Sequence, residues 1–254
     1  MRAAALAPLA WVLLAGASAA PGTENGAVPG IAISIIIDDL GNNLPQGRRA
    51  LRLPGPVAYA ILPHTPYAER LAREAHSSGK EVILHLPMES ADEVAPGPGG
   101  LTSNMHADDI NAALKQALGS VPHAVGISNH MGSYLTALPQ PMRWLMHALL
   151  QRGGLYYVDS RTTPETVAAS IATEIGILNL ERNVFLDGDR SETAIERQFE
   201  RLLELAERRG AALAIGHPYP ETLAFLETRL LELDRTHVRL LPPSQLLQQT
   251  ASRQ

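Results

Sequence analysis

The sequence predicts an α/β domain built on a parallel sheet. Three features carry that reading: short, almost wholly apolar runs, amphipathic helical segments between them, and polar residues gathered where the runs end. The runs are "IAISIII" (31–37), "VAYAIL" (57–62), "EVILHL" (81–86), "AVGISN" (124–129), "LYYVDS" (155–160), "NVFLD" (183–187), "AALAIGH" (211–217) and "VRLLP" (238–242). Continuous apolarity, rather than alternation, marks strands covered on both faces, which is the situation of parallel strands. Alternation of strand and helix leaves two architectures open, a (β/α) barrel and an open doubly wound sheet.

The chain begins with "MRAAALAPLAWVLLAGASAA", which combines an early arginine, an apolar run from about Ala3 to Ala15 and an Ala17-Ser18-Ala19 cleavage pattern. This predicts a secretory signal peptide over 1–20, cut after Ala19 or Ala20, because the run is shorter than the roughly 18 to 20 residues of a spanning helix. A flexible leader over 21–30 follows, then one domain over 31–245 and a tail over 246–254. The expected mature protein is periplasmic and has no stable membrane anchor.

The first helical segment with a clear stripe is "PYAERLAREAHSSG", where Ala68, Leu71, Ala72 and Ala75 share a face and Gly79 marks the stop. "HADDINAALKQAL" places Asp108 and Asp109 in a first turn, where the helix dipole favours them, with Ile110, Leu114 and Leu118 inward. In "SETAIERQFERLLELAERRG", Ile195, Phe199, Leu202, Leu203 and Ala206 make one stripe. Thr193 and Glu196 there suggest a capping box, and Gly210 ends the helix. One Pro/Gly-rich interruption, "EVAPGPGGLTSN", reads as a long loop over one end of the sheet.

Composition narrows the function classes. With 254 residues, a net charge of −5 and no basic cluster, nothing suggests nucleic-acid binding. The absence of cysteine removes disulfides, thiolate catalysis and Cys-ligated zinc, so any metal must be held by His, Asp or Glu.

The polar residues follow the strand ends. Asp38 and Asp39 close the first run, His64 the second, His85 and Glu89 the third, Asn129 and His130 the fourth. Asp159 and Arg161 close the fifth, Asp187 the sixth, and His217 with Tyr219 the seventh. In a parallel sheet these ends share one face, where α/β folds place their sites. Singly, Asp159 or Asp187 reads equally well as a helix N-cap. Together the set points to metal-assisted chemistry. Adjacent carboxylates raise each other's pKa unless a cation neutralises them, and a carboxylate with two imidazoles is a normal catalytic zinc set.

"IIIDDLG", "VAYAILPHTPYA", "GKEVILHLPMES", "GISNHMGS", "YYVDSRT" and "AIGHPYPETL", in this order, resemble the divergent polysaccharide deacetylase family, over essentially residues 31–245. The resemblance implies a deformed (β/α) barrel of about seven parallel strands. It also implies a catalytic base at Asp38, a metal ligand at Asp39 and a ligand at His85. His217 falls where that superfamily has the acid that protonates the leaving amine, and Asp159 with Arg161 where it has supporting catalytic residues. Glu89 stands where main-branch deacetylases have a second histidine, so the third ligand is either Glu89 or His130, with His130 favoured. His64, Glu89, Asn129 and Tyr219 are the candidate substrate contacts. The cofactor implied is zinc or another divalent metal, and the partner an acetylated glycan such as peptidoglycan.

Three functions stay open on these grounds. The first is an exported metal-dependent deacetylase. The second is a non-catalytic envelope protein that binds glycan on the same fold, for which the Glu89 replacement speaks. The third is a glycosidase using two carboxylates, against which the histidine clustering speaks.

Overall fold

The computed structural model describes residues 31–92, 94–233 and 237–251. The predicted signal peptide and leader lie outside the described residues. Strands β1 (Ala32–Leu40), β2 (Ala58–Ile61), β3 (Val82–Met88), β4 (Ala124–Met131), β5 (Tyr156–Asp159), β6 (Asn179–Glu181), β7 (Val184–Phe185), β8 (Ala211–Gly216) and β9 (Arg239–Leu240) form one sheet. Helices α1 (Leu44–Leu51), α2 (Ala68–Ser77), α3 (Ala107–Ser120), α4 (Pro139–Arg152), α5 (Ala168–Ile175), α6 (Glu192–Arg209), α7 (Pro220–Leu233) and α8 (Pro243–Ala251) intervene or follow. Among the described residues, no helix is long and apolar enough to cross a membrane.

The sheet order is β6-β5-β4-β3-β2-β1-β8-β7, and every pairing is parallel. This order is cyclic in sequence, which is the order of a barrel and not of a doubly wound sheet. Eight strands follow the path instead of about seven. The extra one, β6, has three residues, none of them buried, and its sequence carries no apolar run.

The ring does not close by a ladder. β6 pairs β5 and β7 pairs β8, and the chain crosses the gap through Arg182 and Asn183. Arg182 N donates to Asp159 O on one side, and Asn183 N donates to Leu213 O on the other, both at 2.9 Å. β9 pairs the first residues of β1, Ala32 and Ile33.

Side chains alternate between two apolar layers. Ile33, Ile35 and Ile37 of β1, Leu84 and Leu86 of β3, Ile127 of β4, Tyr157 of β5 and Ala212 and Ala214 of β8 pack outward against the helices. Ala32 and Ile36, Ala58 and Ala60, Ile83, Tyr156 and Val158, and Leu213 and Ile215 fill the lumen. Small residues there make room for large ones. A Cβ on Gly126 would lie 2.4 Å from the Tyr156 ring. By this parity Asp38, His85, Ser128, His130, Asp187 and His217 continue the lumen rows, while Asn129 and Asp159 continue the outer rows.

The helices follow their stripes. In α2 the buried residues are Ala68, Leu71, Ala72 and Ala75. In α6 the helix starts two residues earlier than a Thr193 cap allows. Its N-cap is Ser191, and no capping box forms at Thr193 and Glu196. The tail expected at 246 is also corrected: α8 runs through to Ala251, and Leu246 and Leu247 are buried with the lumen cluster. Two apolar side chains inside the cluster make this helix part of the domain.

Candidate metal centre and active site

Successive residues of a strand point to opposite faces, so adjacent aspartates should diverge. A bulge prevents it. Against β2, Ile37 pairs Tyr59 and Leu40 pairs Ile61, so β1 holds one extra residue exactly where Asp38 and Asp39 stand. Asp39 takes the left-handed backbone region, φ 60°, uncommon for a residue with a Cβ. Both carboxylates therefore reach the same imidazole. His85 Nε2 is 3.4 Å from Asp38 Oδ2 and 3.2 Å from Asp39 Oδ1. Gly41 follows because the turn after β2 docks there. A Cβ on it would sit 2.0 Å from Thr65 Oγ1.

β3 and β4 bring the two histidines together. His85 is in register with Ser128 and Pro87 with His130, so His85 and His130 share the lumen face one step apart. His130 Nδ1 lies 2.9 Å from Asp39 Oδ1 and 3.3 Å from His85 Nε2. Asp39 Oδ1, His85 Nε2 and His130 Nδ1 thus form a triangle of three donor atoms, and these residues are a possible metal-holding group. Ligands about 2.0–2.1 Å from a tetrahedral zinc stand roughly 3.3 Å apart. The three edges, 2.9, 3.2 and 3.3 Å, match that requirement.

Two further observations favour a cation there. Asp38 Oδ1 is buried without a hydrogen-bond partner, a costly state for a carboxylate. His85 Nδ1 lies 2.7 Å from Ser128 Oγ. If Nδ1 carries the proton and donates it to Ser128, the Nε2 lone pair is left for a metal, the usual orienting arrangement around a ligating histidine.

The two aspartates differ electrostatically. Burial pushes the Asp38 carboxyl above its usual range, and only in part do His85 and His217 pull it back. For Asp39 burial acts in the same direction, but the His130 and His85 rings outweigh it and hold its carboxyl well below the usual range. The imidazoles thus favour the anion at Asp39, whereas burial disfavours charge on Asp38.

On the opposite flank, His217 follows β8. Its Nε2 is 3.9 Å from Asp39 Oδ2, the oxygen turned away from the triangle. Asp187, after β7, accepts from His217 Nδ1 at 2.8 Å, from His217 N at 2.6 Å and from Thr222 Oγ1 at 2.8 Å. Burial would lower the His217 pKa, but the bond to Asp187 and the nearby carboxylates raise it to about 9. Two aromatic rings lie near the imidazole, Phe185 at 6.0 Å and Tyr219 at 5.5 Å between centroids. Arg182 lies over Phe185 and Arg190 over Tyr219.

The other residues predicted for the site stand elsewhere. Asp159 faces outward, accepting from Arg161 N at 2.8 Å and Thr166 Oγ1 at 2.8 Å. Arg161 turns its guanidinium to Glu181 at 2.7 Å, outside the group formed by Asp38 and His217. Asn129 is buried, its Oδ1 accepting from Ser160 N and its Nδ2 donating to Met131 O, so it braces the turn after β4. Glu89 Oε2 accepts from Ser103 N, and its backbone pairs with Leu101 and Leu135. It anchors the long loop and leaves the triangle to His130. His64 is exposed near His130, its ring packed where a Cβ of Gly99 would come within 2.7 Å.

Sequence reasoning missed three residues. Asp187, read there only as a strand-end carboxylate or cap, is the partner of His217. Ser128 is the partner of His85. Arg182, at the seam, donates to Ser160 O and Arg161 O. Burial, with Arg161 nearby, lowers its pKa to about 10, and the charges of Asp159 and Asp38 act against that loss. Lumen parity would have singled out Asp187 and Ser128. Arg182 carries no comparable signal.

The cyclic parallel sheet with its helices is a deacetylase-like (β/α) barrel. A profile of the divergent polysaccharide deacetylase family matches residues 35–247. The chain belongs to that family. It is 39% identical over 201 residues to an uncharacterized protein of Haemophilus influenzae, covering 79% of this chain and 71% of that one. Identity to the uncharacterized protein YibQ of Escherichia coli is 38% over 201 residues, 79% of this chain but 63% of the relative's length. Among solved structures, the uncharacterized protein ATU2773 of Agrobacterium tumefaciens superposes with a TM-score of 0.82 at 23% identity, covering 85% of this chain and 89% of that one.

Proposed function

We propose that this protein is an exported, metal-dependent hydrolase that removes acetyl groups from an envelope glycan such as peptidoglycan. The observation that carries the reading is the donor triangle of Asp39, His85 and His130, flanked on one side by Asp38 and on the other by His217. Family membership and the expected export signal support the substrate class and a periplasmic location.

Asp39, His85 and His130 would hold zinc or another divalent cation, which when bound lowers the pKa of water and polarises the acyl carbonyl. The buried Asp38 takes the proton of the attacking water, its raised pKa making it the better base. His217 enters the reaction protonated, through Asp187, and donates from Nε2 to the leaving nitrogen. Phe185 and Tyr219 fix the plane of that imidazole.

The test is acetate release from a panel of acetylated glycans, with metal content measured for each protein. Asp38→Asn and His217→Ala should keep fold and metal and each lose about 10²–10⁴-fold in rate. Undiminished turnover in both variants would remove the assigned site. A metal-loaded wild type that binds these glycans but releases no acetate would favour the non-catalytic reading.

A further inference from the structure

Beside the donor triangle lies a pocket of about 320 Å³, with His130 in its wall. It is bounded by the loops after β1, β2 and β3, so it lies on the β2–β3 side of β1, whereas His217, which follows β8, lies on the other side of β1. We infer that this pocket receives the acyl group of the substrate, and that it admits straight acyl chains several methylenes longer than acetyl. The inference rests on the hydrolase reading above and names which acyl groups that site accepts.

The reaction geometry assigns the sector. In amide hydrolysis the oxygen of water joins the carbonyl carbon, the carbon–nitrogen bond breaks, and the nitrogen takes a proton. The products are a carboxylic acid and an amine. The nitrogen must face His217, the donor in this scheme. The sugar bearing that nitrogen then lies toward β8. The remaining substituent of the carbonyl carbon, the acyl chain, points away from the nitrogen, toward the sector holding this pocket.

The lining agrees with an acyl chain and not with a sugar ring. Leu62, Pro63, Pro66, Pro87, Pro96 and Pro98 supply most of the wall. Proline has no backbone N–H, so these five prolines leave few donors for sugar hydroxyls, and a buried hydroxyl without a partner costs free energy. No lysine, arginine, aspartate or glutamate lines the pocket. Its polar side chains are Asn42, His64, Thr65 and His130, and the Thr65 hydroxyl already donates to Leu62 O at 2.8 Å.

Size decides against acetyl alone. A methyl group occupies about the volume of one water, roughly 30 Å³. It would leave most of 320 Å³ unfilled. A chain of several methylenes would replace that water with apolar contact.

The test uses straight-chain hydroxamates on the zinc-loaded full chain, from acetohydroxamate to hexanohydroxamate, with Kd read by calorimetry. Each added methylene should tighten binding about fourfold, the value of burying one CH₂. Pro98→Trp and Pro96→Phe, which fill the pocket from its exposed loop, should flatten that dependence, with folding checked by thermal unfolding. Affinity independent of chain length in the wild type, an equally steep series in both filled variants, or no hydroxamate binding at all would overturn the inference. Release of acyl groups from N-acetyl and N-butyryl chitooligosaccharides separates the two readings. Turnover of acetyl with a flat hydroxamate series keeps the hydrolase and removes the pocket. A steep series without turnover keeps the acyl pocket and removes the hydrolase.

Discussion

At the C-terminal ends of the strands, Asp39, His64, Met131 and Arg161 all hold positive φ, whereas at the N-terminal ends His123 is the one non-glycine residue among the described residues to do so. The ends differ equally in how their polar groups are paired. At the N-terminal end, Glu81 accepts from Tyr156 OH at 2.6 Å and from Ser244 N at 3.1 Å, and Lys80 Nζ donates to Leu53 O at 2.8 Å. At the C-terminal end, Asp38 keeps a buried oxygen without a hydrogen-bond partner, and Asp39 Oδ1 faces two imidazole nitrogens at 2.9 and 3.2 Å. Sparsely populated backbone states cost about 1–3 kcal/mol each and persist where the surroundings enforce them. One end is built for closure. The other carries a group of side chains that could hold a metal ion.

The largest break in that contrast comes from the triangle. Asp39→Ala, His85→Ala and His130→Ala should each abolish stoichiometric metal uptake, measured by elemental analysis of folded protein, whereas Glu89→Ala should retain it. Metal lost from Glu89→Ala and kept by His130→Ala would reverse the assignment.

A smaller effect is expected at Asp187. Asp187→Asn should lower the His217 pKa from about 9 toward 6.5, since its main support is removed. Imidazole chemical shifts in metal-free protein would follow it. The sign for stability runs the same way: a raised histidine stabilises the fold below the unfolded value of 6.5, and that gain is lost as pH rises through about 9. Without Asp187 the loss should be complete at lower pH. In the active enzyme the basic limb of the rate profile should move down as well.

The smallest effect on chemistry belongs to the N-terminal end. Glu81→Ala leaves Tyr156 and Ser244 without an acceptor and should destabilise by about 1–3 kcal/mol. A drop in Tm with metal affinity held within about twofold would show that the two ends are energetically separate. A large loss of metal affinity would join them.

What could be read from sequence divides along physical lines. Eight of the nine strands correspond to apolar runs, with β9 the weakest, because burial on both faces selects apolar side chains. β6 was invisible because it is short and not buried. The strand ends located the right face, but position at an end says nothing about which side of the strand a residue takes. Asn129 and Asp159 sit at the same depth as His130 and on the opposite layer. Alternation within each run held that information, since Tyr157 and Asp159 share a parity that Tyr156 and Val158 do not. The Asp187–His217 pair depended instead on β7 lying beside β8, thirty residues later in the chain. Adjacency of that kind belongs to topology.

The crossing at Arg182 and Asn183 has a mechanical meaning. In a barrel closed by ladders, stagger, tilt and diameter are tied, and a change in one strand is passed around the whole circumference. Here the circumference contains a slip joint, with the chain passing from β6 to β7 where no ladder binds them. β1, β2, β3 and β4, which carry the triangle, lie on an unbroken stretch of the sheet away from that joint. Changes of length or stagger on the β5–β8 flank can therefore be taken up at the joint, leaving the spacing of Asp39, His85 and His130 undisturbed.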